Sequence, residues 1–283
     1  MAMPVPGDVA ATVARALAED IGSGDLTAAL VPVAQRALAA VVTREDAVLC
    51  GRPWFDEVFH QLDPAITIAW HHDDGAHVRA ADTLCELEGP ARALLTGERT
   101  ALNFLQTLSG TATRAARWAA AVAGTGTRLL DTRKTLPGLR TAQKYAVRCG
   151  GGTNHRIGLY DGVLIKENHI LAAGGIAAAV AAARRDAGGA LIEVEVESLA
   201  QLDEAMTAGA DIAMLDNFTH ADAQAAVAHA AGRIKLEVSG NVTLDRLPGI
   251  AALGVDFVSA GALTKDVVTI DLSMRFRYKQ TSV

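Results

Sequence analysis

Residues 129–169 read LLDTRKTLPGLRTAQKYAVRCGGGTNHRIGLYDGVLIKENH, and the rest of the chain is interpreted outward from this stretch. It concentrates basic side chains in a protein whose net charge is −6. These side chains are Arg133, Lys134, Arg140, Lys144, Arg148, His155, Arg156, Lys166 and His169. Short apolar runs at 129–130 and 163–165 are typical of strands, and the charges are expected where such strands end. Cations at the strand ends of an α/β protein predict an anionic ligand at that edge of the sheet.

The composition narrows the class of protein before any motif is considered. Half of the 283 residues are hydrophobic and 4% are aromatic, which favours a helix-rich α/β enzyme and excludes a disordered chain. The mild acidity disfavours a nucleic-acid surface, and neither a signal peptide nor a membrane-spanning run is expected. Cys50, Cys85 and Cys149 lack the spacing of a disulfide framework or a zinc site. A reduced, cytoplasmic setting is therefore expected.

The N-terminal part of the chain predicts an antiparallel sheet. Residues 36–90 alternate between strand patterns and polar turns, and a long helical stretch with a candidate break at Gly110 follows. Residues 269–277 alternate again, which predicts an antiparallel strand that returns to the N-terminal sheet. We therefore predict an N-terminal α/β sandwich domain of residues 1–110, joined by the C-terminal strand of residues 266–283.

The second predicted domain, residues 111–265, has the rhythm of repeated strand–helix units. Its candidate strands are Arg128–Thr132, Gly162–Lys166, Leu191–Val196, Ile212–Asp216, Ile234–Val238 and Val255–Ser259. Repeats of this kind, with alanine-rich helices between the later strands, predict a parallel sheet that closes into a barrel. The usual barrel has eight strands, so we predict an irregular parallel α/β barrel of about six to seven strands.

Alternation within two of these strands predicts acidic side chains inside the barrel. Glu193, Glu195 and Glu197 alternate with apolar residues, so they are expected to point inward and to need cations, a metal or a ligand. An edge strand with solvated glutamates is the alternative. Lys235 and Glu237 share one face of their strand and are expected to form an interior ion pair.

Further candidates lie at the ends of the predicted strands. Asp216 closes one strand and is either a site carboxylate or a helix N-cap. The small-residue loops Ser239–Asn241 and Ser259–Gly261 follow late strands, where backbone N–H groups often bind phosphate. Lys166 ends its strand with its side chain toward the barrel mouth. Arg99 lies alone on the long helix and, taken by itself, is a surface residue.

Several segments together resemble one enzyme family. They are GERTALNFLQ (97–106), DTRKTLPGLR (131–140), KYAVRCGGGTNHRIGLYDGVLIKENH (144–169), IEVEVES (192–198), MLDNF (214–218), EVSGN (237–241) and VDFVSAGALT (255–264). The sequence is identified by these motifs as a member of the quinolinate phosphoribosyltransferase family, and the resemblance runs from EDIGSGDLT (19–27) over nearly the whole chain. One departure is Gln143, where the family pattern has an acidic residue.

This resemblance implies a reaction and an assembly. The reaction transfers a phosphoribosyl group from phosphoribosyl pyrophosphate to quinolinate with decarboxylation, which gives nicotinate mononucleotide, pyrophosphate and CO₂ for NAD biosynthesis. The implied cofactor is Mg²⁺. The implied assembly is a homodimer in which the N-terminal part of one subunit covers the barrel mouth of the other, so the active sites are shared.

The resemblance also implies roles for individual residues. Those that bind the quinolinate carboxylates are Arg133, His155, Arg156 and Lys166, with Arg99 reaching in from the neighbouring subunit. Lys134 is implied to bind phosphoribosyl pyrophosphate, and Glu195 and Asp216 to lie near the ribose and its Mg²⁺. The 5′-phosphate would lie against Ser239, Gly240, Asn241, Ser259, Ala260 and Gly261. The catalytic groups would be Lys134, Lys166, Glu195 and Asp216.

Three alternatives remain open from the sequence. A Schiff-base lyase on the same barrel would use Lys166 as its nucleophile, although the many other cations have no purpose for a neutral carbonyl. A related phosphoribosyltransferase would act on a different ring acid. A non-catalytic dimeric scaffold is disfavoured because every charged position carried over from the family pattern is intact.

Overall fold

The structure is a computed structural model that describes residues 4–278. Its helices and strands, in chain order, are α1 (Val9–Ile21), β1 (Arg36–Thr43), β2 (Ala47–Val48), α2 (Arg52–Leu62), β3 (Thr67–Trp70), β4 (His77–Val78), β5 (Thr83–Pro90), α3 (Ala91–Ala121), β6 (Arg128–Leu130), α4 (Arg140–Cys149), β7 (Val163–Ile165), α5 (Glu167–Ala173), α6 (Ile176–Asp186), β8 (Ile192–Val196), α7 (Leu199–Thr207), β9 (Ile212–Asp216), α8 (His220–Ala230), β10 (Lys235–Ser239), α9 (Leu247–Ala251), β11 (Phe257–Ser259), α10 (Ala262–Lys265) and β12 (Leu272–Tyr278).

The chain divides into two compact units. The first comprises Met1–Ala116, Leu136–Gly151 and Asp266–Val283, and the second comprises Arg117–Thr135 and Gly152–Lys265. Two of these divisions lie within six residues of the bounds 110/111 and 265/266 predicted from the sequence. The segment that contains α4, however, lies in the first unit, although the sequence analysis assigned it to the barrel domain.

The first unit is built on an antiparallel sheet, as predicted from residues 36–90. Its strand order is β12-β1-β5-β3, with β2 and β4 forming a separate two-stranded ladder. The predicted C-terminal strand is confirmed, because β12 pairs antiparallel with β1 from Ala37 opposite Tyr278 to Thr43 opposite Leu272. The first unit's core contains the fully buried aromatic side chains Trp54, Phe55 and Phe59.

The long helix α3 is continuous, so the expected break at Gly110 is wrong. A Cβ at position 110 would collide with the carbonyl oxygen of Val268. Glycine at position 110 therefore allows the segment before β12 to approach the helix closely. This packing outweighs the weakening of the helix by glycine.

The second unit contains a six-stranded parallel sheet with the order β6-β11-β10-β9-β8-β7. All six predicted strands are present, and each of their ends lies within two residues of its predicted position. The strands were predictable because alternating strand and helix patterns leave few other topologies. The described pairings form one continuous ladder, and β6 and β7 are its end strands. Since all strands run in parallel, their carboxyl ends and the loops that follow them share one edge of the sheet.

Within the described range, helices that combine the length and the apolar character needed to cross a membrane are absent.

Candidate active site

A cavity in the second unit opens at the carboxyl ends of the parallel strands. It is lined by Thr132, Arg133, Lys134, His155, Arg156, Leu164, Lys166, Met214, Glu237, Ser239 and Ser259. Most of these residues are among those that the sequence analysis selected. The shared edge of a parallel sheet explains why residues far apart in sequence meet here.

Lys134 is held by its own backbone beside the loop that follows β11. Its N–H donates to Thr132 Oγ1 at 3.0 Å, and its carbonyl accepts the hydroxyl of Thr264 at 2.7 Å. A Cβ at position 261 would lie 2.8 Å from Lys134 Cδ, so Gly261 is what allows the lysine stem to cross this loop. The exposed lysine therefore lies next to one of the two small-residue loops.

The loop that carries His155 and Arg156 is anchored to the end of β6. Asp131 is fully buried there and accepts the Asn154 side-chain amide at 2.6 Å and the His155 N–H at 2.8 Å. Arg156 donates from Nη1 to the carbonyl of Gly162 at 3.1 Å. These contacts fix a segment that three glycines would otherwise leave flexible.

Arg156 and Arg133 lie close enough to influence each other. Burial lowers the pKa of Arg156, and the neighbouring charge of Arg133 lowers it further. Two guanidinium groups held together in this way favour an anion between them, because the anion relieves both the desolvation and the repulsion.

A second cluster of charges lies where β7, β8 and β9 end. Lys166 Nζ lies 2.5 Å from Glu195 Oε2, and both side chains are partly accessible. Burial raises the pKa of Asp216, and the adjacent negative charge of Glu195 raises it further. Two carboxylates that repel each other at the mouth of a site are suited to share a hard divalent cation such as Mg²⁺.

The loop after β10 lies against this cluster. Gly240 has φ +87°, and a Cβ there would lie 2.7 Å from Asn217 Oδ1 and 3.3 Å from Asp216 Oδ1. Asn241 also has a positive φ, +46°. At the end of β11, Ser259 and Ala260 are buried, and Gly261 follows them. Asp216 is not a helix N-cap, because Thr219 caps α8 by accepting the N–H of Asp222.

His155 and Glu237 line the cavity, and Glu193 lies beside His155. Nε2 of His155 lies 2.8 Å from Glu193 Oε2 and 3.5 Å from Glu237 Oε2. Burial raises the pKa of Glu237 well above its usual value, and the charge of Glu193 adds to this effect. The nearby Ser259 hydroxyl acts in the opposite direction and lowers the pKa of Glu237. The two side chains lie close together but do not form a hydrogen bond.

Several expectations from the sequence are wrong in detail. Glu197 does not point into the barrel, because β8 ends at Val196 and Glu197 is exposed. Lys235 does not pair with Glu237; it is exposed and its Nζ lies 2.6 Å from Asp256 Oδ1. Alternation predicts a common face only within a strand, and Lys235 is the first residue of β10.

The basic side chains of residues 129–169 are divided between the two units, whereas the sequence predicted them together at strand ends. Arg140, Lys144 and Arg148 lie on α4 in the first unit and not at strand ends, and Lys144 is buried. Gln143, the departure from the family pattern, is fully buried on the same helix, and its Oε1 accepts the N–H of Leu136 at 2.8 Å. Arg99 lies on α3 in the first unit and is exposed, as the sequence taken by itself predicted.

Sequence reasoning missed two residues that position the site. They are Asp131 and Thr132, neither of which was selected as a candidate from the sequence. The signal for both was their place directly after the apolar residues of β6, where a buried carboxylate and a hydroxyl can accept the N–H groups of the following loop.

Comparison with known proteins agrees with this geometry. Models of the quinolinate phosphoribosyl transferase N-terminal and C-terminal domains match residues 25–109 and 111–275. The chain is 42% identical over 266 residues to the probable nicotinate-nucleotide pyrophosphorylase (carboxylating) of Bacillus subtilis, covering 94% of this chain and 92% of that protein. It is 38% identical to the human nicotinate-nucleotide pyrophosphorylase (carboxylating), covering 98% and 94%.

A solved structure gives the same result. The nicotinate-nucleotide pyrophosphorylase from Francisella tularensis is 50% identical and superimposes with a TM-score of 0.94, covering 97% of this chain and 98% of that one. The resemblance inferred from the motifs is thereby confirmed. This chain belongs to the quinolinate phosphoribosyltransferase family.

Proposed function

We propose that this chain transfers the phosphoribosyl group of phosphoribosyl pyrophosphate to quinolinate, releasing pyrophosphate and CO₂ and leaving nicotinate mononucleotide for NAD biosynthesis. One observation carries the proposal: Arg133, Lys134, Arg156 and Lys166 line a single cavity in an acidic protein. Quinolinate is a dianion and phosphoribosyl pyrophosphate a polyanion. A cationic mouth brings two anions together that would otherwise repel each other.

The cations divide naturally between the two substrates. The guanidinium groups of Arg133 and Arg156 suit the ring carboxylates, since a planar fork binds a carboxylate through two hydrogen bonds. Lys134 lies beside the loop of Ser259, Ala260 and Gly261 and suits the phosphoribosyl pyrophosphate. The backbone N–H groups of this loop and of Ser239–Asn241 suit the 5′-phosphate.

Glu195 and Asp216 are the residues that would hold Mg²⁺. They fit this ion because they offer hard oxygen ligands, and the mutual repulsion that raises the pKa of Asp216 would be relieved by a cation. When bound, the ion supplies charge neutralisation for the pyrophosphate leaving group.

The chain's own charges suit both bond-breaking events. Departure of pyrophosphate leaves positive charge on the ribose, and the carboxylates of Glu195 and Asp216 stabilise that charge. Lys134 stabilises the negative charge that develops on the departing group. Once the pyridine nitrogen carries the ribose it is cationic, so the electron pair left by the departing CO₂ is stabilised on the adjacent carbon. The vacated carbon then takes up a proton.

The geometry gives less support to a Schiff-base lyase. The Lys166 side chain is held by an ion pair, with its Nζ 2.5 Å from Glu195 Oε2, and is not free to attack a carbonyl. A neutral carbonyl substrate would also leave Arg133 and Arg156 without a purpose.

The proposal includes a cytoplasmic homodimer in which Arg99 reaches the neighbouring subunit's cavity. Its support is the exposure of Arg99 on α3, with a guanidinium free to meet a carboxylate outside its own helix. Cys50, Cys85 and Cys149 are all free thiols, which suits a reduced compartment.

The deciding experiment follows ¹⁴CO₂ and pyrophosphate from carboxyl-labelled quinolinate and phosphoribosyl pyrophosphate, with and without Mg²⁺. Equimolar, Mg²⁺-dependent release of both products is expected. Arg156→Ala should abolish it, and Arg185→Ala, an exposed arginine on α6 outside the cavity, is the matched control. Turnover of another ring acid instead of quinolinate would assign a different phosphoribosyltransferase. Borohydride trapping of a carbonyl substrate on Lys166 would assign the lyase.

A further inference from the structure

Two buried glutamates below the cavity have no evident role in the reaction above. Glu193 on β8 is 3% exposed and Glu237 on β10 is 0% exposed, and we call these two residues the acid pair. Oε1 of Glu193 and both oxygens of Glu237 have no hydrogen-bond donor within the part of the chain that is described. Buried acids without donors destabilise a fold, so folding alone does not account for them.

The contacts of His155 fix its tautomer. Its Nδ1 accepts the backbone N–H of Arg156 at 2.8 Å, which requires a lone pair on Nδ1. The ring proton is therefore on Nε2, which lies 2.8 Å from Glu193 Oε2 and donates to it. Both nitrogens of His155 are thus engaged within the protein, and the ring in this arrangement is neutral.

The same contacts argue against a metal at this point. The ligand atoms of His155, Glu193 and Glu237 all lie within 4.8 Å of one another, as metal ligands do. A metal on Nε2 would have to displace its proton while Nδ1 still accepts the Arg156 N–H. Only an imidazolate ring satisfies both demands, whereas a metal-bound histidine normally keeps a proton on its other nitrogen.

We propose that the acid pair positions His155 and Arg156 in the ring-acid site: Glu193 accepts the Nε2–H of His155, and Nδ1 in turn holds the backbone of Arg156. The identity of the ligand rests on the function proposed above. In this arrangement the ring of His155 is neutral, so the positive charges that meet the ring carboxylates are those of Arg133, Arg156 and Lys166.

The charges of the acid pair suit this role. Glu193 opposes the lowering of the Arg156 pKa by burial and by the charge of Arg133. Burial and the neighbouring Glu193 raise the pKa of Glu237, which disfavours a second negative charge beside Glu193.

Nitrogen NMR of ¹⁵N-histidine-labelled enzyme tests the proposal without any substrate. The expected result is that His155, identified by its loss in His155→Asn, carries its proton on Nε2 and has a lone pair on Nδ1. His229, whose Nε2 lies 3.2 Å from Asp203 on the surface, is the internal reference. A wild-type His155 with its proton on Nδ1, or on both nitrogens, overturns the proposal.

Kinetics of four variants separate the two ends of the relay. Asn and Gln at position 155 mimic Nδ1 and Nε2 respectively, so each keeps one contact and loses the other. Each is expected to raise the KM for quinolinate more than it lowers kcat. Glu193→Gln, which weakens the acceptor of the Nε2–H, should lower kcat/KM about 10- to 100-fold, and Glu237→Gln, which leaves both hydrogen bonds of His155 in place, by no more than about threefold.

The outcomes distinguish this proposal from the function on which it rests. Equal losses in Glu193→Gln and Glu237→Gln, together with stoichiometric zinc or manganese in the purified wild-type enzyme, would assign a metal site and overturn the relay. A drop in kcat with unchanged KM in both position-155 variants would make His155 a direct catalyst and also overturn it. If quinolinate is not turned over by wild-type enzyme, the proposed function fails, while the histidine tautomer still decides the relay.

Discussion

Two acids, Asp74 in the first compact unit and Glu237 in the second, are held in different ways. In the first unit, Asp74 accepts the N–H groups of Gly51 and Arg52 on Oδ1, at 3.0 and 3.2 Å, and the hydroxyl of Tyr145 on Oδ2 at 2.9 Å. In the second unit, Glu237 receives no comparable donor within the described chain. Burial raises the pKa of both carboxyls, so burial by itself does not distinguish them.

The difference lies in what each acid is for. A carboxylate that joins a helix start to the side chain of another helix, as Asp74 joins α2 to Tyr145 on α4, stabilises the fold through its hydrogen bonds. Glu237 lines a cationic cavity and has no donor among the described residues, so its role lies in the site and not in the stability of the fold.

The largest effect is expected from removing one carboxylate from the substrate. Nicotinate lacks the 2-carboxylate of quinolinate and would leave a cation of the second unit's cavity without its partner. Sites built to bind a polar group reject the analogue that lacks it by about 10⁴-fold. The measurement is kcat/KM for both acids with the same phosphoribosyl pyrophosphate. Comparable values would mean that the cations of the cavity serve the fold, as Asp74 does.

Much of this cavity was predictable because the parallel sheet brings strand ends together. Lys166 and Asp216 each end a strand or follow it directly, so alternation and the βα rhythm locate them without long-range information. The fold class was predictable for the same reason.

The exceptions depend on where elements end and on contacts distant in sequence. Lys235 has the parity of Glu237, yet it begins β10 outside the sheet interior and meets Asp256. The basic residues of α4 were predicted for the site because they lie between DTRKT and GGGTNHR, but their helix packs in the first unit. No local pattern records the contact between His155 Nε2 and Glu193, which lies 38 residues further along the chain.

The next effect tests whether the first unit contributes an exposed residue to the chemistry. If Arg99 binds a carboxylate in the neighbouring subunit, Arg99→Ala should weaken transition-state binding by about 2–5 kcal/mol without unfolding the protein. Lys166→Ala should be similarly inactive. Mixing the two variants under subunit exchange should restore some activity, because a mixed dimer has one site with both defects and one with neither.

The control for this mixing experiment is each variant exchanged with itself, which should stay inactive. Subunit exchange is followed independently with differently tagged chains. Proven exchange without any recovery would contradict the shared site and confine the role of Arg99 to its own subunit.

A smaller effect, on stability alone, is expected from Tyr145→Phe. The change leaves Oδ2 of the partly buried Asp74 without its donor, which costs about 1–3 kcal/mol in the free energy of unfolding. Urea titration measures this cost, and kcat/KM for quinolinate should stay at the wild-type value. A loss of activity at unchanged stability would show that Asp74 and Tyr145 take part in the reaction. Asp74 and Glu237 would then not differ in their roles.

The smallest effect is expected from Asp74→Asn, and its sign depends on pH. Burial raises the pKa of Asp74 in the folded protein above its unfolded value of 3.8, so the folded state holds the proton more tightly. The stability from this preference is fully present below the unfolded pKa and is lost as the pH rises through the raised folded pKa. The asparagine side chain of the variant cannot ionise, and its amide can still meet Tyr145 and the N–H groups of Gly51 and Arg52.

The unfolding free energy of Asp74→Asn should therefore gain on that of the wild type as the pH rises from about 4 to about 8, by less than the cost of Tyr145→Phe. Urea titrations of both proteins across this range measure the difference. Asp186→Asn, the same change at an exposed acid on α6, controls for effects of pH on the rest of the chain. A variant that loses ground to the wild type with rising pH would show that ionised Asp74 is stabilised by its three donors more than burial opposes it, and the two units would then differ even more sharply in how they hold a buried charge.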